Sequence, residues 1–111
     1  MKRHTTPNDL PDPTVFEDYG RTRPLYLIVS TETEAIWKEL QRVRKKHGIQ
    51  HLTLFDWSSI LGEEYGEVCR AINEEHFNDG DLQSVYDECI QTAAVAVHMA
   101  AIIREAKLDK P

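Results

Sequence analysis

The chain has 111 residues, 41% of them hydrophobic and 29% charged, with a formal net charge of −6. That length holds one domain with a modest core, or half of a core shared between two subunits. The acidic balance argues against binding to nucleic acid polymers or an anionic membrane, and no apolar run approaches the roughly 20 residues of a membrane span.

Residues 1–24 hold four of the five prolines, Pro7, Pro11, Pro13 and Pro24, among Asn, Asp and Thr. They read as an irregular arm, with Val15, Phe16 and Tyr19 available to pin it to the body or to a second subunit. The opening M-K-R-H-T-T-P-N-D has no apolar stretch behind its basic residues, unlike a secretory signal. Residues 25–29, L-Y-L-I-V, read as an extended segment packed against helices, because no partner strand exists elsewhere. Thr31 and Glu34 form a capping-box pattern that predicts a helix to about His47, stopped by Gly48. Ile36, Leu40 and Val43 give its apolar stripe, with Trp37 alongside, and Lys38, Arg42, Arg44, Lys45 and Lys46 make its second half basic. Such a face complements the helix dipole when it is simply solvated.

Asp56 or Thr53 can cap a second helix over about 57–75. Asn78-Asp79-Gly80 is a turn signal, and Asp81 caps a third helix from Leu82 to about Lys107, rich in alanines that let another helix approach closely. Cys69 and Cys89, without CxxC spacing, read as reduced, small core residues of a cytoplasmic protein. The expected architecture is all-α: residues 25–111 form a helical bundle of the four-helix type, in which three substantial helices are completed by dimerisation.

Projected at 100° per residue, Ile60, Glu64, Glu67 and Ala71 share one stripe, beside Leu61, Tyr65, Val68 and Ile72. On the third helix Glu88 and Gln91 share a stripe with Val95, His98 and Ile102. Acidic groups therefore lie in line with apolar ones, and buried carboxylates are normally paired or bound to a cation. Residues 56–88 hold ten acidic side chains against one arginine, Arg70. Oxygen ligands suit a hard divalent ion, Mg²⁺ before Ca²⁺ or Mn²⁺. The metal candidates are Glu64, Glu67, Glu88 and Gln91, whereas Glu63, Glu74, Glu75 and Asp87 are expected to face water. A di-iron carboxylate bundle is excluded by spacing, since no histidine has a Glu three residues before it.

The segment L-G-E-E-Y-G-E-V-C-R-A-I, followed by Y-D-E-C-I-Q-T-A-A-V-A-V, resembles the MazG-like, all-α nucleoside triphosphate pyrophosphohydrolases. Their hallmark is EExxE, a variable gap, then ExxD. Glu63, Glu64 and Glu67 match the first part and Glu88 opens the second, while Gln91 stands where the family has Asp. The likeness runs over about residues 31–103. It implies Mg²⁺-dependent hydrolysis of a (deoxy)nucleoside triphosphate to monophosphate and pyrophosphate by a homodimer or dimer of dimers. In that frame Glu64, Glu67, Glu88 and Gln91 hold the metal, and Glu63 is the catalytic candidate, receiving the proton of the attacking water. Lys38, Arg42 and Lys45 are candidates to hold the outgoing phosphates, with Lys46 beside them, and Trp57 to stack on a base. The alternative is a noncatalytic helical nucleotide- or protein-binding module in which Gln91 marks a degenerate metal site.

Overall fold

The structure, a computed structural model, describes residues 24–108 and, within them, all side chains but those of residues 25–28. The expected pinning residues Val15, Phe16 and Tyr19 lie outside the described residues. Three α-helices make up the fold: α1 (Leu25–His47), α2 (Leu54–Phe77) and α3 (Leu82–Ile103), the last continuing as a π-helical turn, Arg104–Leu108. The all-α expectation holds, but the described residues contain three helices, not the four of a complete four-helix bundle.

α1 starts six residues before the expected cap. Pro24 stands at its N-cap with φ −54° and ψ 140° and no side-chain cap. The apolar run after it is helical, not extended. A strand here has no partner to complete its ladder, and no helix-breaking residue separates Leu25 from His47. The Thr31–Glu34 capping box is therefore interior to a helix. Glu34 pairs instead with Lys38 at 3.3 Å, and the neighbouring Thr33 donates its hydroxyl to the Val29 carbonyl at 2.8 Å. Gly48 ends α1 with φ 68°, a conformation that favours glycine, and donates its N–H to the Arg44 carbonyl.

α2 begins with a reciprocal capping box between Thr53 and Asp56, one turn earlier than the periodicity places it. At its end the chain reverses tightly. Asp79 takes a positive φ of 59°, and the N–H groups of Asn78 and Gly80 both donate to the Glu74 carbonyl. A Cβ on Gly80 would lie 2.8 Å from the Glu74 carbonyl carbon and 2.9 Å from the Glu75 nitrogen, so the turn is pressed against the helix backbone. Glu75, expected to face water, is buried. It follows Ala71 by four residues and so continues the stripe of Glu64 and Glu67. Asp81 caps α3 by accepting from the Ser84 N–H at 2.8 Å.

α3 is the central element, packing against both α1 and α2, whose backbones make no close approach to each other among the described residues. Tyr86 ties α1 to α3 by donating its hydroxyl to Glu32 at 2.9 Å. The described apolar core is small, with Trp57 and Ala94, each 3% exposed, its buried side chains among the described residues. Both cysteines are free, but only Cys69 is part-buried. Cys89 is exposed, because it falls on the face of α3 turned away from its two partners. Within the 27-residue helical stretch Leu82–Leu108, an 18-residue window reaches a mean hydropathy of 1.2. By length and composition alone that helix can cross a bilayer, a property that counting uninterrupted apolar runs misses; core helices of water-soluble bundles share it.

Candidate active site

A cleft of about 370 Å³ opens between the three helices. Glu39, Arg42 and Lys46 enter it from α1, Trp57 and Glu64 from α2, and Gln91 and His98 from α3. One wall is thus acidic and another basic, with an aromatic and aliphatic floor. Trp57 is buried and meets the His98 ring edge-on, with centroids 4.8 Å apart and planes at 67°. Burial, and behind it the charge of Arg44, holds the His98 imidazole below its ordinary pKa.

Glu64 is the centre of the acidic wall. Its Oε2, like Oε2 of Glu88, is sealed from solvent and has no hydrogen-bond partner. Burial pushes the Glu64 carboxyl above its ordinary pKa. The charges of Glu88, Glu67, Glu39 and Glu63 add to that in decreasing order. Carboxylates from all three helices therefore act on one oxygen pair. A sealed carboxylate oxygen without a donor costs free energy that a proton or a cation removes.

Of the residues expected to hold a metal, Glu64 and Gln91 line the cleft, and Glu88 is part-buried beside Glu64. Glu67 is turned away, paired with Arg70 at 3.2 Å, although its charge still reaches Glu64. Among the described residues no three His, Cys, Asp or Glu side chains converge closely enough, as they stand, to hold a metal ion. The donor set fits a hard cation through the two orphaned oxygens of Glu64 and Glu88 and the amide oxygen of Gln91.

The basic candidates divide. Arg42 lines the cleft, as does Lys46, whereas Lys38 is exposed, paired with Glu34, and outside it. Lys45 faces a neighbouring depression with Trp37, Arg44 and His98. Glu63 is exposed and does not line the cleft. Trp57 forms part of the cleft wall but is too deeply buried to offer a free face to a base. The sequence reading missed Glu39, although it follows Ile36 by three residues and precedes Val43 by four, the same in-line placement that marked Glu64. No protein-family model, curated protein or solved structure matches the chain.

Proposed function

We propose that this chain hydrolyses a nucleoside triphosphate to the monophosphate and pyrophosphate with Mg²⁺, as the MazG-like resemblance implies, and that it works as a cytoplasmic homodimer or dimer of dimers. The main support is the pair of sealed, unpartnered oxygens on Glu64 and Glu88, on the consecutive helices α2 and α3, beside a cleft whose other wall carries Arg42 and Lys46. A divalent ion and a polyphosphate together satisfy both walls, and neither alone does.

When bound, Mg²⁺ supplies positive charge to the phosphate oxygens and acidifies a water. Glu64 and Glu88 are the residues that would hold it, with Gln91 offering a neutral oxygen. Arg42 and Lys46 bind and orient the triphosphate. Water attacks the α-phosphorus, the bond from that phosphorus to the bridging oxygen breaks, and pyrophosphate departs. The EExxE likeness gives the water's proton to Glu63, exposed and one residue from Glu64. Dimerisation is supported by the small core. Membrane insertion of α3 is disfavoured, because Glu88, Gln91 and His98 lie along it and such groups are expensive in hydrocarbon.

Purified protein given a panel of deoxynucleoside triphosphates and Mg²⁺ is expected to release pyrophosphate. Glu64→Gln and Glu88→Gln should each lose at least about 100-fold in rate. Undiminished release in both variants would refute the assignment. The noncatalytic module is favoured by two observations: Gln91 brings no charge to the cleft, and Glu67 is engaged by Arg70. Heat of nucleotide binding with no pyrophosphate formed would decide for it.

A further inference from the structure

We propose that Glu39 is an additional anionic ligand of the cation site, supplying from α1 the charge that Gln91 does not, and that Arg42 holds Glu39 in place until cation and polyphosphate enter. The inference rests on the reading of the cleft as a metal–nucleotide site. Three helical ion pairs of similar spacing can be compared. The acid of the Lys38 pair, Glu34, has a side chain 68% exposed, and that of the Arg70 pair, Glu67, 42%. Glu39 is only 13% exposed, while its partner Arg42 stays 55% exposed. Of these three pairs, this one draws the acid inward and leaves the base at the mouth. Surface pairs of this kind contribute little to stability, so nothing in helix energetics calls for a carboxylate in that position.

Both Glu39 oxygens are occupied by the Arg42 fork, Nε at 2.9 Å and Nη2 at 2.6 Å. Glu39 also shares the cleft lining with Glu64 and Gln91, so each of the three helices presents one oxygen-bearing side chain to the same space. The guanidinium is the countercharge for Glu39 and, at longer range, for Glu64. It is also the group best shaped to grip phosphate oxygens two at a time. Filling the cleft therefore exchanges partners. Glu39 passes from Arg42 to the cation, and Arg42 passes from Glu39 to phosphate. No covalent bond changes, and each of the two side chains keeps a partner of opposite charge before and after.

The test is Mn²⁺ titration of the full chain, followed by electron paramagnetic resonance of the free ion, with and without a non-hydrolysable nucleoside triphosphate. Wild type is expected to bind Mn²⁺ and Glu64→Gln to lose binding. Glu39→Gln should weaken nucleotide-free binding about tenfold, the scale of one charge-assisted contact. Arg42→Ala should tighten it, because Glu39 is released; a variant that merely damages the helix would weaken it. Should Glu39→Gln bind as wild type while Glu64→Gln does not, Glu39 is no ligand and the metal site stands without it. If Glu39→Gln and Arg42→Ala weaken binding alike, the pair is structural and the exchange is wrong. A wild type that binds no Mn²⁺, with or without nucleotide, overturns the metal site itself and this inference with it.

Discussion

Glu64 carries an ionisation that its surroundings oppose: burial first, then the charge of Glu88 and of three further glutamates, raise its pKa on folding. A carboxyl whose folded pKa exceeds its unfolded one favours folding most when protonated. That contribution is complete below the unfolded value and is lost as pH rises through the raised one. Glu64→Gln imitates the protonated form at every pH. In metal-free thermal melts, variant and wild type should therefore agree near about pH 4, and the variant should become the more stable towards about pH 8. Mg²⁺ should then raise the wild-type midpoint and leave the variant's unmoved. A difference that stays flat across that range would mean the Glu64 charge is well solvated. In-line spacing placed Glu64, Glu88 and Gln91 inward, because a residue on an apolar stripe is carried in with it, but it marked Glu67 equally, which pairs with Arg70 instead. It did not separate Arg42 from Lys38 and Lys45, since the wedge of a basic helix that meets the cleft depends on how α1 leans on α3. Glu39 and Glu75 carried the same in-line signal, hidden among basic neighbours in one case and at a helix end in the other.

The elements themselves are set by a few local groups whose removal has calculable effects. Thr53 and Asp56 satisfy each other's backbone N–H at 3.0 and 3.1 Å, so Thr53→Ala should cost about 1 kcal/mol in urea unfolding. Gly80→Ala should cost more, about 1–3 kcal/mol, because its Cβ meets helix backbone, which cannot rotate away as a side chain does. An equal stability of Gly80→Ala and wild type would show the reversal to be looser than described. Asp81 and Gly48 are legible as boundaries from residue type and position, whereas the sequence leaves Asp56 and Thr53 both open as the α2 cap, and the structure takes Thr53. The start of α1 was not legible, because Thr31 and Glu34 imitate a cap that the preceding run of Leu25 to Val29 overrides. Capping patterns state where a helix can begin. Whether it begins earlier depends on where its upstream apolar residues pack, and Pro24 is the first residue that forbids extension.

At the scale of the whole molecule, three helices of 23, 24 and 22 residues enclose an apolar core with two buried side chains, Trp57 and Ala94, among the described residues. Meanwhile Phe55 is 87% exposed, and Ile72, on the α2 stripe shared with Tyr65, is 48% exposed. In the proposed dimer a second copy would cover the stripe of Tyr65 and Ile72 without any further component. The chain should then sediment at twice its monomer mass, and its thermal midpoint should rise with protein concentration, because folding and association are one equilibrium. Ile72→Glu places a charge in the middle of the covered stripe and should lower the midpoint and shift the sedimenting species towards monomer. Thr53→Ala, at the exposed end of α2, should lower the midpoint without changing the dependence on concentration. A wild type that sediments as a monomer with a concentration-independent midpoint would mean that the exposed stripe is tolerated in water and that the three helices are stable by themselves.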